Sequence, residues 1–99
     1  MPDTEIELAN VQGPESRIVN LQLLADGGVR LHARDRGPLA ELTFARSEYE
    51  FWVTVPPDAV ARLAFELLRD KFTGRSRAVT EFRDYCKSRE VVNTFDTRS

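Results

Sequence analysis

Apolar and polar side chains alternate with a period of two along three segments of this chain, and the alternation predicts a β-sheet. The first two segments are residues 17–25 and 28–36. The turn between them contains Gly27 and Gly28, which accept the positive φ angles of a tight hairpin. The third segment, residues 48–55, ends at a Pro-Pro pair, because proline cannot donate to a strand ladder.

One residue of the third strand does not fit its surroundings. One face of this strand is predicted to carry Tyr49, Phe51, Val53 and Val55. The other face is predicted to carry Glu48, Glu50, Trp52 and Thr54. A large indole among two carboxylates and a hydroxyl is either covered by another element or offered to a partner. Trp52 therefore indicates a face for function, although it does not indicate a reaction.

Two helices are predicted after the third strand. Apolar residues recur at spacings of three and four over residues 58–73, and a second apolar stripe runs over residues 77–89. Gly74 is the predicted C-cap of the first helix, and Ser76 is the predicted N-cap of the second. Residues 91–95 have strand propensity and are predicted to join the sheet.

The order of these elements predicts an α+β fold, an antiparallel β-sheet of three to five strands packed on one face by two α-helices. We expect a single domain over residues 17–99. Residues 1–16 form a loosely ordered arm or a short edge strand. Residues 39–47 form either one helical turn or an irregular extended piece. The predicted core consists of Val19, Leu21, Leu23, Leu31, Phe51, Val53, Leu63, Leu67, Phe82 and Cys86.

Composition and charge exclude several classes of protein. The chain has 99 residues, of which 41% are hydrophobic and 30% are charged, as in an ordinary small folded domain. A net charge of −2 is not the basic footprint of a nucleic-acid-binding protein. No apolar run approaches the roughly 18 residues that a membrane span requires. The acidic, polar start of the chain and its single cysteine lead us to expect a cytoplasmic protein.

The sequence predicts no catalytic, metal or cofactor site. His32 and Cys86 are the only residues of their types, and the patterns place His32 on the outer face of a strand and Cys86 on the core stripe of a helix. These positions favour an exposed histidine and a buried structural cysteine. Glu48 and Glu50 are spaced like an acid–base pair, but two acids on one strand face are more often a row of ion pairs. We therefore expect a protein that is not an enzyme.

The polar side of the sheet allows two interpretations. If the second and third strands are neighbours, Arg30, His32 and Arg34 lie opposite the acidic strand. Cross-strand pairing then accounts for the charges. Trp52 is explained by stacking with an arginine, by cover from residues 39–47, or by a role as the anchor of an interface, since tryptophan and arginine are enriched among interface hot spots. The sequence leaves these alternatives open.

Part of the chain resembles a known group of proteins. The strand EYEFWVTVP (residues 48–56), the helical segment LLRDKF (67–72) and the segment EFR (81–83) resemble small stand-alone bacterial proteins of the toxin-immunity type. The resemblance covers the middle and C-terminal half of the chain. The end of the chain, with Asn93 and Thr94 before Phe95, lacks the aromatic-rich ending of that group. The resemblance implies a fold and a class of function, and it transfers no individual functional residues.

Together these patterns predict a non-catalytic cytoplasmic binding protein, an immunity protein that neutralises a cognate bacterial toxin by direct contact. Its partner would be a protein, in one version a basic toxin domain, because carboxylates at an interface rim steer a basic partner. The predicted partner-binding residues are Trp52, Glu48, Glu50, Asp58, Glu66 and Asp70. Two alternatives share these features: a phage-encoded inhibitor of a host defence complex, and a homodimer built through Phe65 or the edge strand.

Overall fold

The elements follow in the predicted order, with one strand added at the start and one lost at the end. This computed structural model describes residues 4–37 and 48–98. The strands are β1 (Glu5–Val11), β2 (Ser16–Leu23), β3 (Val29–Arg36) and β4 (Glu48–Val55). A short 3-10 helix (Pro57–Ala59) precedes α1 (Val60–Phe72) and α2 (Ala78–Ser88). The α+β class is confirmed, and the ambiguous segment 39–47 lies outside the described residues.

The chain divides into two compact units, Met1–Ala64 and Phe65–Ser99. The first unit contains the four strands, and the second contains α2. That residues 17–99 form one domain, with the helices packed on one face of the sheet, stays a prediction.

The sheet has the simplest antiparallel order, β1-β2-β3-β4. β2 and β3 pair one to one from Ser16 opposite Arg36 to Leu23 opposite Val29, which confirms the predicted hairpin. β3 and β4 pair equally regularly along their whole length. Because the side-chain period is two, this register gathers most apolar positions of the three strands on one side, which we call the apolar face: Val19, Leu21, Leu23, Val29, Leu31, Ala33, Tyr49, Phe51, Val53 and Val55. Arg17 and Asp35 lie on this face too, and Ile18 lies on the other.

Gly27 and Gly28 of the β2–β3 turn are each required, but for different physical reasons. Gly27 has a φ of 93°, which is the left-handed region expected from the sequence. Gly28 is needed for space instead, since a Cβ there would lie 2.7 Å from the carbonyl oxygen of Val55. The amide of Gly28 donates to Oδ1 of Asp26 at 2.8 Å, so the aspartate side chain closes the turn.

The start of the chain forms an edge strand, β1, which is one of the two structures expected from the sequence; the other was a loosely ordered arm. It pairs with β2 from Glu5 opposite Gln22 to Val11 opposite Arg17. The register shifts between Glu7 and Ala9, so that Leu8 is an extra, unpaired residue. β1 is therefore a bulged edge, in contrast to the regular ladder of β4.

The first helix follows its sequence signals, and the second departs from them. α1 ends before Gly74, whose φ of 81° confirms the predicted C-cap. The prediction of Ser76 as the N-cap of α2 is wrong, because Arg77 holds that position and makes no side-chain capping bond. The start of α2 is held instead by Arg75, whose guanidinium forms two hydrogen bonds with the Glu81 carboxylate, at 2.8 and 3.1 Å. These bonds lower the pKa of Glu81.

The predicted strand at residues 91–95 is wrong, because the end of α2 redirects the chain. Glu90 adopts a left-handed φ of 58°, and the amide of Val91 donates to the carbonyl oxygen of Cys86 at 2.9 Å. This is the bond that closes a Schellman motif. Further on, the guanidinium carbon of Arg83 lies 4.2 Å from the centre of the Phe95 ring, which ties the tail to α2.

The predicted core is largely wrong about burial, although it is right about faces. Of the ten predicted residues, Cys86 is buried and Val19 and Leu63 are half-buried. The other seven are exposed: Leu21, Leu23, Leu31, Phe51, Val53, Leu67 and Phe82. Ala33 at the centre of the sheet is the other buried hydrophobic residue among those described. Four strands in one layer cannot bury a sheet face by themselves, since that requires a second layer.

Candidate partner-binding face

β3 and β4 place a row of charged and aromatic side chains on one side of the sheet. Residues directly opposite each other in an antiparallel pair point to the same side. The opposed pairs are Arg30 with Thr54, His32 with Trp52, Arg34 with Glu50, and Arg36 with Glu48. We call these eight residues the polar face. The predicted opposition of the basic and acidic strands is confirmed.

The carboxylates of the polar face are engaged by arginines. Arg34 reaches Glu50 at 2.8 Å and Glu48 at 3.3 Å, and Arg36 reaches the same Glu48 oxygen at 3.3 Å. This is the cross-strand pairing that accounts for the charges. Because the side chains involved are 41% to 63% exposed, solvent screens each pair. Each therefore contributes less than about 1 kcal/mol to the free energy of unfolding.

Trp52 is exposed and has a histidine as its neighbour. Its exposed fraction is 55%, and its ring centroid lies 6.0 Å from that of His32, with the two planes tilted by 51°. No arginine stacks on the indole among the described residues, so stacking with an arginine, one of the alternatives that the sequence left open, is not found there. The reason is that Arg30 turns to Thr54, and its Nε donates to the hydroxyl oxygen at 2.9 Å.

The surroundings of Trp52 form a shallow depression rather than an enclosed pocket. Gln22, Arg30, His32 and the indole itself line it. Polar groups of Arg30 and Gln22 form part of its lining, and Gln22 also donates to Glu5 of β1 at 2.6 Å. The depression thus combines an aromatic surface with polar groups, as protein-binding patches do.

The three remaining predicted site residues do not lie on the polar face. Asp58 lies in the 3-10 helix after β4. Glu66 and Asp70 lie on α1, where Oε2 of Glu66 accepts from Arg69 at 2.5 Å. Of the six predicted residues, the structure therefore gathers Glu48, Glu50 and Trp52 on one strand.

An ion pair on the opposite, apolar face was not predicted as part of a site. Arg17 of β2 holds Asp35 of β3 with two parallel bonds, Nε to Oδ1 at 2.5 Å and Nη2 to Oδ2 at 2.6 Å. The bonds lower the pKa of Asp35 and raise that of Arg17. The guanidinium carbon also lies 5.4 Å from the centre of the Phe51 ring. The sequence did contain a signal, because both residues continue the alternation of the apolar positions on their strands.

The structure also places the histidine and the cysteine, on β3 and α2 respectively. Within residues 4–37 and 48–98, no three residues of the types His, Cys, Asp and Glu gather closely enough to hold a metal ion. His32 is half-buried on the polar face, and Cys86 is only 4% exposed within α2. None of the described helices has the length and apolar character needed to cross a membrane.

Comparison of the chain with family models, with curated proteins and with solved structures finds no match.

Proposed function

We propose that this protein is a non-catalytic binding protein that neutralises a bacterial toxin by direct contact, with the polar face as its docking surface. The observation that supports this proposal is the exposed indole of Trp52 on the polar face, next to the rows of arginine–glutamate pairs. Tryptophan supplies a large contact area and anchors binding when a partner pocket removes it from water. A protein that acts by occupying its target needs such an anchor and needs no reacting group.

The residues around Trp52 prepare it for binding. His32 packs beside the indole, and Arg30 is held by Thr54, so that these side chains have fewer conformations to lose when a partner arrives. Each mobile side chain that an interface must immobilise costs about 0.5–1.5 kcal/mol. The ordered surroundings of the indole therefore favour affinity.

The charges of the polar face suggest a partner of mixed charge. Arg30, Arg34 and Arg36 outnumber Glu48 and Glu50, and both glutamates are already paired. Because arginines partly neutralise them, these two carboxylates attract a basic toxin less strongly than unpaired carboxylates would. We propose that Trp52 supplies most of the affinity, and that the arginine–glutamate rows select a toxin surface with acceptors opposite the arginines.

The test is Trp52→Ala in the full-length protein, with Val53→Ala as the matched control. Val53 is 70% exposed and is the next residue of the same strand, but it points to the opposite face. We expect Trp52→Ala to change the free energy of unfolding by less than about 1 kcal/mol and to weaken toxin binding by at least about 2 kcal/mol, roughly 30-fold. Val53→Ala should leave toxin binding unchanged.

The measurements are chemical unfolding for stability and calorimetry for binding. The toxin is identified by co-purification from the native host and by the gene that adjoins this one. If Trp52→Ala binds the toxin as tightly as the parent, the polar face is not the docking surface. The search then moves to α1 around Glu66 and Asp70. If Trp52→Ala unfolds the protein, the indole has a structural role instead.

A further inference from the structure

The outer edge of β4 is an open hydrogen-bonding edge among the described residues. β4 is last in the order of the sheet, and all of its described pairs are made with β3. On its other side, alternate backbone N–H and C=O groups have no strand to pair with in the part of the chain described. Such an edge is a template for another strand.

β4 lacks several of the features that usually protect an edge strand. Besides charged side chains, which β4 has in Glu48 and Glu50, and cover by a helix or loop, proteins protect sheet edges with proline, lysine, a bulge or very short length. β4 has eight residues, EYEFWVTV, and its register with β3 is uninterrupted. Six of the eight are aromatic or β-branched, the types that favour strands. The strand is thus well suited to accept a further strand at its outer edge.

The charges along β4 indicate which strand can pair with its outer edge. On the polar side, its first half carries Glu48 and Glu50, and its second half carries Trp52 and Thr54, which are uncharged. Parallel pairing with a second copy of β4 would place carboxylate against carboxylate. Antiparallel pairing about Phe51 places Glu50 opposite Trp52 of the second copy, and Glu48 opposite Thr54. Opposed like charges are thereby avoided.

The polar groups at these positions also complement each other. The Thr54 oxygen already accepts from Arg30 at 2.9 Å, which leaves its O–H free to donate to the carboxylate of Glu48 in the second copy. The indole N–H of Trp52 has no acceptor among the described residues, and Glu50 of the second copy supplies one. On the other side of the sheet, Phe51 meets its own symmetry mate and Tyr49 faces Val53.

We infer that two copies of this chain associate through β4, paired antiparallel about a two-fold axis at Phe51, to form one continuous eight-stranded sheet. A two-fold axis makes both halves of the contact identical, as in most protein dimers. Pairing through a single strand is a small interface of the kind found in transient complexes, below about 1,200 Å². The dimer therefore dissociates on dilution. The inference does not rest on toxin binding, because it is argued from the strand edge and its tests measure self-association alone.

Disulfide cross-linking tests the register. Residues opposite each other in an antiparallel pair have Cα atoms about 4.5–5.5 Å apart, within the range for a disulfide. We expect Phe51→Cys to give a covalent dimer under mild oxidation. Leu8→Cys, an exposed position on the opposite edge strand, is the control for random collision. The parent should not cross-link, since its Cys86 is buried. Equal cross-linking of Phe51→Cys and Leu8→Cys would overturn the inference.

A charge substitution tests the same contact without a covalent bond. Thr54→Glu places a carboxylate beside Arg30 of the same chain, so Arg30 keeps a partner. In the dimer, the same carboxylate lies opposite Glu48 of the second copy and repels it. Because the symmetry repeats this repulsion, we expect the dimer dissociation constant to rise about fivefold. Thr54→Gln is the uncharged control, and Thr54→Glu combined with Glu48→Gln should restore dimerisation. Sedimentation over a range of concentrations gives the constants. A monomeric parent at every concentration, or no rescue by the double variant, would refute the β4 dimer.

Discussion

Arg17 and Asp35 form an ion pair that differs from those on the polar face. Their two bonds are parallel and short, and the Asp35 side chain is 21% exposed, about half the value for Glu48 and Glu50. A bidentate contact of this kind holds both side chains in one geometry. The pair lies beside Phe51, so it orders polar groups at the border of the apolar face.

The lowered pKa of Asp35 predicts how stability depends on pH. Its contribution is complete above the ordinary carboxyl pKa near 3.8 and is lost as the pH falls through the lower pKa of the folded protein. We expect Asp35→Asn to remove this part of the acid sensitivity. Because Arg17 is half exposed, the contribution does not exceed about 1 kcal/mol.

The measurement is urea unfolding of the parent and Asp35→Asn between pH 2 and pH 7. The difference between the two proteins should be largest near neutral pH and should shrink below about pH 4. Asp84→Asn, which alters an exposed carboxylate of α2, is the control and should leave the parent's profile unchanged. A constant difference at all pH values would show that the pair does not contribute through its charge.

At single positions, the sequence predicted the direction of side chains better than their contacts. Period-two alternation placed Trp52 on the polar side of its strand, because direction depends only on backbone geometry. That β3 and β4 are neighbours was a condition of the sequence argument, and the structure meets it. The contact of the indole depends on which rotamer Arg30 adopts, and the Thr54 hydroxyl decides that. The alternation carried no information about that hydrogen bond.

The two helix C-termini use the same backbone conformation with different residues. Gly74 after α1 and Glu90 after α2 both have positive φ, 81° and 58°. Glycine has no penalty there, whereas a residue with a Cβ is disfavoured by about 1–2 kcal/mol. The second helix therefore ends with strain that the first avoids.

Exchanging the residue types tests this difference. Gly74→Ala should lower the free energy of unfolding by about 1 kcal/mol, and since a Cβ there meets nothing within 4 Å, the loss comes from the backbone alone. Glu90→Gly should raise it by about 0.5 kcal/mol, because relief of strain is partly offset by the greater entropy of the unfolded chain.

Thermal and urea unfolding measure both changes. Gly74→Asn is the control, since asparagine tolerates the left-handed region, and it should cost less than Gly74→Ala. A neutral Gly74→Ala, or a destabilising Glu90→Gly, would contradict the assignment of strain to these positions.

Elements with a long periodic pattern were predictable, and those that depend on a neighbour were not. β2, β3 and β4 each have eight residues, most of which alternate, and the three strands were found within about two residues. Residues 91–95 have strand propensity but no periodic pattern. The turn at Glu90 overrides this propensity, because it brings the amide of Val91 to the carbonyl oxygen of Cys86. Ser76 was predicted as the N-cap of α2 from its residue type alone. In the structure Arg77 is the N-cap, and Arg75 binds Glu81 in the first turn of the helix.

For the molecule as a whole, alternation identified the apolar face but not what lies over it. Leu31 and Val53 lie on the predicted side of the sheet and are nevertheless exposed. Burial depends on a second layer, and no periodicity in a single strand encodes which layer that is. This limit explains why the face was predicted correctly and the burial of five of its proposed core residues (Leu21, Leu23, Leu31, Phe51 and Val53) was not.

Association through β4 makes the stability of the molecule depend on its concentration. Dimerisation of the folded protein stabilises it by mass action, so that the melting temperature of the parent should rise with protein concentration. Thr54→Glu should show a weaker dependence over the same range, and Thr54→Gln should behave like the parent. Calorimetric scans at increasing concentrations measure this, and a melting temperature of the parent that stays constant would contradict it.

The extra residue in β1 limits how far the sheet can grow. If both edges were regular, β1 of one copy could pair with β4 of the next, and such head-to-tail contacts propagate into open fibres. Leu8 interrupts the ladder, whereas the register of β4 is regular, so the outer edge of β1 is a poor template. Growth then stops once two β4 edges have met. One inserted residue thereby makes the difference between a closed pair and an amyloid-like polymer.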